Sequence, residues 1–588
     1  MAESEQDSAR TSPEPTTSSP NGVGATSAPA TSETSASGFS ESGEQLIRRA
    51  PTGYLWNQAG AIWLFLSLLL FEVVIRRSLP PSATNTFDLV STIANLGYYI
   101  ASFGMASAGI VFLPRALAEG GPALALSLAD RLVAIRFIFS LAVGVVVVLG
   151  LPGLIALVET AGWQPGIDFS HSFTIQALLD HRFAIAAYVI CLGVSTLLST
   201  LLIALVYTRI VFIIGGLGQL LMLIVSYLLV RPLNAGVDGA IVAQAIPSAI
   251  TALIFAFVLR RVLRAKPSSK GFHLLRPALR LAVASWLADL PNSSLVQPVA
   301  IGQLAAVAPT QLLYFKSTYQ MGDAGARFFT DGLAGISMAS MSVTYEGGLR
   351  PLATSWRTVS KLQVLLGVPL VAFCIPHASA IMRMLFGVNY EQSGPLLAIF
   401  LALNGLNQLL GGSTHEWALY VMGRQQWVVV SRWATLGILA VSGALLVPQF
   451  AALGALLAVG LGRLVAQVFL LILARAWVKR AYPWLFIVKL LAALVPPVLV
   501  TIFAQPVAFI TSLVAVLTWI PTNLRPLIDI GALLGVNLAI FAVILVVCLR
   551  IIRPLDAEDA ALLNQTPPWL RRALLPFAAL TSPKRANA

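Results

Sequence analysis

Charged residues are scarce in this chain, and so are cysteines. Only 11% of the 588 residues are Asp, Glu, Lys or Arg, whereas 57% are hydrophobic and the mean hydropathy is +0.82. Soluble domains carry about 25% charged residues, so this composition excludes a soluble globular protein. The three cysteines, Cys191, Cys374 and Cys548, stand in apolar runs without CxxC spacing, which argues against a disulfide framework and against a zinc site.

Motifs of soluble catalysis are also missing. The chain has no GxxxxGK[ST] loop, no GxSxG and no HExxH. The first of these motifs binds nucleotide phosphates, and the others position a nucleophile or a zinc ion. We therefore expect no ATP motor on this chain, no enzyme activity, no cofactor and no metal. A membrane-embedded glycosyl or acyl transferase stays open as an alternative, although the predicted outer loops are short.

Large apolar side chains are almost absent from residues 1–50, which are rich in Ser, Thr, Pro, Glu and Ala. Such a segment cannot bury a core, so we expect a disordered cytoplasmic tail. It lacks the basic start and apolar stretch of a signal peptide.

Long apolar runs occupy most of the remaining chain. A spanning helix needs about 20 mostly apolar residues. That window predicts fourteen spans, near 53–75, 85–112, 132–157, 183–207, 210–230, 238–260, 279–307, 310–343, 360–385, 394–421, 426–447, 451–475, 485–505 and 527–550. The predicted fold is an all-α polytopic membrane protein. It has six-helix lobes at 51–265 and 275–480, two further transmembrane helices at 481–552 and a cytoplasmic tail at 553–588. Residues 505–527 leave room for a re-entrant or extra segment.

The basic residues are distributed with a bias that orients these spans. With the N-terminus in the cytoplasm, the inner loops and tails carry most of them, among them Arg48, Arg49, Arg115, Arg209, Arg260, Arg424 and Arg550. The opposite loops carry only Arg76, Arg77, Arg182, Arg231, Arg383 and Arg525. The positive-inside rule then places both termini in the cytoplasm of a multi-pass inner-membrane protein. The net charge of +13 is thus explained by the basic loops and tails on the cytoplasmic side, and no nucleic-acid partner is expected.

The two halves of the chain have the same residues at corresponding span boundaries. Arg209 opens the fifth span and Arg424 opens the eleventh, 215 residues later. Gly239 and Gly454, at the starts of the sixth and twelfth spans, are also 215 residues apart. Because six crossings restore the starting side, the halves form parallel repeats about an axis along the membrane normal, with the substrate route expected between them.

Polar residues inside the spans mark a candidate cleft. In the eighth span, polar side chains recur every three or four residues and share one helix face: Lys316, Gln320, Asp323, Arg327 and Asp331. Ionisable residues at membrane depth face a cavity or one another. The same reasoning selects Asp88 and Asn95 in the second span, Asp289 in the seventh, and His415 and Glu416 in the tenth. The polar stripe of the eighth span predicts either a cleft whose cations hold an anionic head group or a structural ladder of ion pairs.

Several stretches resemble the oligosaccharide flippase and polysaccharide exporter family of the multidrug/oligosaccharidyl-lipid/polysaccharide flippase superfamily. Residues 385–390, LFGVNY, followed by PLL at 395–397, are similar to a family signature after the ninth span. Residues 75–79 with 103–115, 313–315 and 342–347 resemble further family patterns. The resemblance covers about residues 50–480 and implies two lobes around a V-shaped cavity, alternating access, and a lipid-diphosphate-linked glycan as cargo. Glycosyltransferases or a polymerase, and membrane lipid, are the partners expected for such a protein.

Three functions compete on this basis. The first is a flippase or exporter of lipid-linked oligosaccharide or polysaccharide units. The second is a cation-coupled multidrug antiporter, which is disfavoured because the first span has no Asp or Glu between Tyr54 and Phe71. The third is a membrane scaffold for glycosyltransferases that transports nothing, and such a scaffold would not need the polar stripe of the eighth span.

Overall fold

The computed structural model describes residues 60, 62–150, 152–153, 173–264, 272–327, 347–503, 525–556, 558–560, 571–572 and 574–578, with isolated positions 337, 341, 344 and 345. The predicted N-terminal tail, Asp331 and most of the segment at 505–527 lie outside these residues. Arg327 belongs to a described helix, but its side chain lies outside the described part.

The first half contains six spans. The first is helical over 62–78. The second runs through Pro81–Ser102 into the helix Met105–Val145, which also contains the third span because it turns at Gly120 and Gly121. A π-helical turn, Val146–Gly150, extends the third. After the short helix Phe173–Asp180, the fourth, fifth and sixth spans are Arg182–Ala204, Thr208–Val230 and Gly236–Leu263.

The second half repeats this arrangement. The seventh span combines Phe272–Asp289, the π-helical Leu290–Leu295 and Val296–Val307, and the eighth begins with Leu312–Arg327. The ninth is Leu349–Cys374, followed by Ala378–Phe386, and the tenth combines Ser393–Leu409 with Thr414–Val421. The helix Gln425–Val478 contains the eleventh and twelfth spans, divided at Ala451. Trp484–Phe503 and Arg525–Ile552 are the last two.

The prediction of about fourteen spans is confirmed. Nine helical stretches in the described part are long and apolar enough to cross a membrane by themselves. Two of them, Pro81–Gly150 and Gln425–Val478, each contain two spans because their backbones break. The first, seventh and eighth spans are interrupted or shorter and complete the set. The described residues form no strand, only an isolated bridge between Leu555 and Ala578.

Apolar side chains cover both the inside and the outside of the bundle. Leu253 is 74% exposed and Val441 is 66% exposed, as expected where lipid is the solvent. Inside, one core cluster joins the two halves, with Phe87 of the second span packed among residues that include Leu304 and Phe315. The halves therefore share apolar core as well as polar contacts.

A break in the second span allows a close approach between the halves. Phe103 and Gly104 both have left-handed backbones, with φ of 44° and 64°. A Cβ on Gly104 would collide with the carbonyl oxygen of Ala282 in the seventh span. Glycine is required here both for its positive φ and for its missing side chain.

The turns between the spans lie at two opposite ends of the bundle. The distal end contains the turn at residues 79–80, and the proximal end contains the turn at Gly120 and Gly121. The predicted orientation places the distal end outside the cell.

Residues after the last span fold back on the ninth span at the proximal end. Lys361 Nζ lies 2.7 Å from Asp556 Oδ2 and 2.7 Å from Asp559 Oδ2. Thr358 Oγ1 donates a hydrogen bond to Asp559 Oδ1 at 2.7 Å. The side chains of Lys361 and Asp559 are each only 2% exposed. We call Thr358, Lys361, Asp556 and Asp559 the tail clasp.

Candidate functional site

A buried set of charged and polar side chains connects the two halves near the distal end. Arg76 in the first span holds Asp88 in the second through two parallel hydrogen bonds, each 3.0 Å long. Lys316 in the eighth span lies 3.3 Å from Asp88 Oδ1. Gln320, one turn further along, donates to Glu72 at 2.8 Å and accepts from Arg76 at 3.3 Å. We call Glu72, Arg76, Asp88, Lys316 and Gln320 the lobe bridge.

The charges of the lobe bridge are matched, and its central ion pair has a specific geometry. Two cations, Arg76 and Lys316, face two carboxylates, Asp88 and Glu72, and Arg76 Nε lies 3.2 Å from Glu72 Oε2. The Arg76 and Asp88 side chains are 0% exposed. A guanidinium and a carboxylate in this two-bond arrangement form one of the stronger ion pairs in proteins. Removing one partner would leave a buried charge uncompensated.

A polar cavity of about 600 Å³ lies between the halves, on the proximal side of the lobe bridge. Glu72, Asn95, Lys316, Gln320 and Asp323 are among the residues that line it. Tyrosines and glutamines contribute much of the remaining polar wall. In the described part of the chain, no group of three or more His, Cys, Asp or Glu side chains is placed to hold a metal ion.

A second ion pair faces this cavity from the second half alone. Arg463 in the twelfth span lies 2.9 Å from Asp323 Oδ1 and donates to the Tyr319 hydroxyl at 2.9 Å. Asn404 of the tenth span lies 3.4 Å from Arg463 and donates to the backbone of the eighth span. The cavity is therefore lined by ion pairs rather than by isolated charges.

The structure brings five of the predicted site residues together. Lys316, Gln320 and Asp323 line the cavity from the eighth span, and Asn95 lines it from the second. Asp88 lies directly behind Lys316. Lys316 and Asp323 each have an ion partner on another span, Asp88 and Arg463 respectively. Their participation in transport stays a prediction.

Three predicted residues lie elsewhere. His415 is fully buried between the Trp356 indole N–H, at 3.1 Å, and the Leu410 carbonyl, at 2.6 Å. Asp289 and Glu416 pair with Arg432 at 2.6 Å and 3.1 Å. None of the three is among the residues that line the polar cavity in the described part. The helix Thr414–Val421, which carries His415 and Glu416, packs against the ninth and eleventh spans. Asp331 and the Arg327 side chain lie outside the described residues.

Four residues of or near this site were missed by the sequence analysis. Glu72 directly follows the stretch of the first span that contains no acidic residue. The assignment of Arg76 to an outer loop was wrong, because it is buried within the bundle. Arg463 and Arg136 each stand alone in a long apolar run, so the rule that selected the eighth span would have found both. Arg136 is buried in the first half, where it donates to the carbonyls of Gly193 at 3.1 Å and of Tyr98 at 3.3 Å.

Known proteins share this fold but not its sequence. No protein-family model matches the chain, and no curated protein is similar to it in sequence. One similar solved structure is the lipid II flippase MurJ in an inward closed conformation. It has a TM-score of 0.61 and 11% identity, over 84% of this chain and 98% of MurJ.

Two further structures are similar over the larger part of the chain. An inward-facing multidrug resistance MATE family transporter of the MOP superfamily has a TM-score of 0.56 and 16% identity, over 70% of this chain and 94% of that one. A MOP superfamily transporter from Pyrococcus furiosus has a TM-score of 0.51 and 15% identity, over 73% and 95%. At these identities, the similarity shows a common fold. The structure therefore has the fold of the MATE and MurJ membrane transporters.

Proposed function

We propose that this protein flips or exports lipid-linked oligosaccharide or polysaccharide units across the inner membrane by alternating access. The observation that carries the proposal is the polar cavity between the halves, bounded at the distal end by an ion cluster whose members come from both halves. A transporter needs a cargo site at the lobe boundary and a contact across that boundary that opens and closes. The cavity and the lobe bridge supply these two parts.

The lobe bridge suits a contact that must break and reform. If the halves separate at the distal end, the Arg76–Asp88 pair stays intact within the first half. Within the lobe bridge, the contacts that are lost are those of Lys316 and Gln320 with the first half. Lys316 and Gln320 would then meet water or cargo instead of hydrocarbon. A ligand that binds the open state more tightly than the closed state would shift the equilibrium toward opening.

The cations of the site favour an anionic cargo group. Lys316 and Arg463 carry charge at or beside the cavity wall, and each now binds a carboxylate. A lipid-linked diphosphate could replace those carboxylates as the partner, since ammonium and guanidinium groups bind phosphate through charge-assisted hydrogen bonds. The similarity to a lipid II flippase supports this cargo class, and it covers a larger share of the chain than the similarity to the multidrug transporter.

A cation-coupled multidrug antiporter is the second candidate. Glu72 favours it, because this carboxylate of the first span lines the cavity. Gln320 donates to its Oε1, however, and Arg76 Nε lies within ion-pair distance of its Oε2, at 3.2 Å. Glu72 is thus a weaker site for a cationic drug than a free carboxylate would be.

The proposed orientation has both termini in the cytoplasm, and cysteine labelling in cells tests it. Asn389 is exposed at the distal end and Gln426 is exposed at the proximal end. In a background without native cysteines, a membrane-impermeant thiol reagent should label Asn389→Cys in intact cells. It should label Gln426→Cys only after the membrane is opened. Reversed labelling of the two positions contradicts the orientation.

Transport itself is tested with the full chain in liposomes. We expect transfer of a fluorescent polyprenyl-diphosphate-linked saccharide between leaflets, and no proton-driven uptake of cationic dyes. The double variant Lys316→Leu/Arg327→Leu should lose this transfer while inserting normally. Dye transport without glycan transfer would favour the antiporter. If the double variant still supports full glycan export in cells and the wild type transfers nothing in liposomes, the protein is a scaffold.

A further inference from the structure

A second cavity opens beside the polar cavity, inside the first half of the bundle. Its volume is about 390 Å³, and its walls come from the first, fourth, fifth and sixth spans. It shares Thr196, Gln219, Gln244 and Ser248 with the wall of the polar cavity, so the two spaces adjoin. We call this second cavity the annex. Its size lies within the range of small-molecule sites, about 300–1,000 Å³.

The annex differs from the polar cavity in charge. The polar cavity has Glu72, Lys316 and Asp323 in its wall. The described residues that line the annex include no Asp, Glu, Lys or Arg, and its polar groups are hydroxyls and carboxamides. A charged ligand group would lose its hydration there without gaining a counter-ion. An uncharged ligand group that forms hydrogen bonds fits this wall.

Two glutamines stand where the annex meets the polar cavity. Within the described part of the chain, the Gln244 carboxamide makes no hydrogen bond. Gln219 uses only its oxygen, as an acceptor for Ser67 Oγ at 3.4 Å. Each carboxamide offers two N–H donors and an acceptor oxygen. Both side chains are half-buried in the wall of the annex, so their amide groups are available to a ligand or to water that a ligand displaces.

The remaining wall provides space and one flat apolar face. Gly215 and Gly216 on the fifth span line the annex, and a Cβ on Gly215 would meet open space. The indole N–H of Trp63 donates to the Gly216 carbonyl at 3.3 Å, which fixes the position of the ring. A sugar ring has hydroxyls at its edge and C–H groups on its faces. It can therefore bond to carboxamides at its rim while a face lies against an aromatic ring.

We propose that the annex binds the uncharged sugar rings of the cargo, with Gln219 and Gln244 as their hydrogen-bonding residues. The anionic diphosphate stays in the polar cavity beside Lys316. This assignment rests on the proposed function and extends it, since it divides the cargo between an uncharged and a charged compartment. The specificity of the transporter for its glycan then resides in the first half.

Equilibrium binding with two radiolabelled probes tests the assignment, using the full chain in lipid nanodiscs. One probe is a polyprenyl diphosphate that carries a single N-acetylated sugar, and the other is the same polyprenyl diphosphate without a sugar. The variants are Gln219→Leu/Gln244→Leu, which removes the amides, and Gly215→Leu, which reduces the space. Leu217→Phe is the matched control, because Leu217 lies on the same helix and is 62% exposed on the lipid-facing surface.

We expect both annex variants to raise the Kd of the sugar-bearing probe about tenfold, the effect of losing one or two well-made hydrogen bonds. The Kd of the sugar-free probe should change less than twofold, and the control should change neither. An equal loss for both probes, or no loss for the sugar-bearing probe, overturns the assignment. If the wild type binds both probes equally, the annex has no sugar site but anionic lipid cargo is retained. If the wild type binds neither probe, the proposed function fails and the annex assignment fails with it.

Discussion

Lys316 and Lys361 are both buried lysines paired with aspartate, and yet they belong to different kinds of contact. In the lobe bridge, Lys316 meets Asp88 across the boundary between the two halves and also lines the polar cavity. In the tail clasp, Lys361 meets Asp556 and Asp559 and attaches the chain after the last span to the ninth span. A buried charge by itself therefore does not identify a transport site. In the proposed alternating-access mechanism, its position relative to the lobe boundary and the cavity distinguishes a contact that opens from one that stays intact.

The largest effect is expected from breaking the lobe bridge at its centre. Asp88→Ala leaves the cations Arg76 and Lys316 facing each other with only Glu72 to compensate them. Loss of one partner from a buried ion cluster costs about 3–5 kcal/mol. We expect loss of nearly all transport because the distal closed state is no longer favoured.

A cysteine at Thr84 reports on the same variant. Thr84 is fully buried in the second span near the distal end. In a background without native cysteines, Thr84→Cys should react with a thiol reagent several-fold faster when Asp88 is alanine than when Asp88 is present. Normal transport together with unchanged labelling would show that the lobe bridge does not close the distal end.

Breaking the tail clasp should damage stability and spare transport. Lys361→Ala strands the buried Asp559 carboxylate, at a cost of up to about 3–5 kcal/mol. We expect a lower midpoint of thermal unfolding and less folded protein, with transport per folded molecule close to wild type. The double variant Lys361→Met/Asp559→Asn should recover much of the midpoint. A transport defect that persists after this recovery would place the tail clasp among the moving contacts.

Arg463 provides a third case beside Lys316 and Lys361. Its ion pair with Asp323 lies within the second half, and Asp323 lines the polar cavity. Arg463→Leu leaves Asp323 beside a space that water can enter, so we expect a smaller stability loss of about 1–3 kcal/mol. Transport should fall about tenfold, and Arg463→Lys should retain part of it. Initial rates in liposomes, divided by the amount of folded protein, measure this effect. Unchanged rates in Arg463→Leu would limit the functional charges to the lobe bridge.

The smallest effect concerns the pH dependence of the tail clasp. Burial alone would raise the pKa of Asp556, but the hydrogen bond and charge of Lys361, with the charges of Arg357 and Lys489, lower it below its ordinary value of 3.8. A lowered pKa means that the contribution of Asp556 to stability is present above pH 3.8 and is lost as the pH falls below it.

Asp556→Asn tests this dependence. Because the Asp556 side chain is 44% exposed, its pair contributes under about 1 kcal/mol. The difference in unfolding midpoint between wild type and Asp556→Asn should be small and constant from neutral pH down to mildly acidic pH. It should vanish only below the ordinary carboxyl pKa. A difference that disappears near neutral pH would contradict the lowered pKa.

The eighth span shows what the spacing of its polar residues could and could not predict. Its spacing of polar residues correctly predicted that Lys316, Gln320 and Asp323 share one face and look into the bundle. The same spacing suggested a ladder of ion pairs along the helix, which stays a prediction because Asp331 and the Arg327 side chain lie outside the described residues. In the described part, Lys316 pairs with the second span and Asp323 pairs with the twelfth. Helix periodicity determines which side chains share a face, but it contains no information about which other helix supplies the partner.

His415 and Arg76 show two limits of this reasoning. His415 was selected because it is polar within a span, but it is hydrogen-bonded at the interface between helices, away from the cavity. Arg76 was assigned to a loop because it is basic and near a span end, but it lies at the centre of the lobe bridge. Hydropathy indicates whether a segment lies in the membrane. It does not indicate which way the side chains of that segment point.

The sequence by itself determined the membrane class, the fourteen spans and the repeat of the two halves. These properties depend on local quantities, since a bilayer of fixed thickness requires long apolar helices and the loops between them must be polar. The tertiary structure alone decided that Arg76, Asp88 and Lys316 meet, that Arg463 joins Asp323, and that the described residues lining the annex carry no charge. Those facts depend on how helices distant in sequence are packed. In an interior where most residues are apolar, hydropathy is too uniform to specify which helices become neighbours.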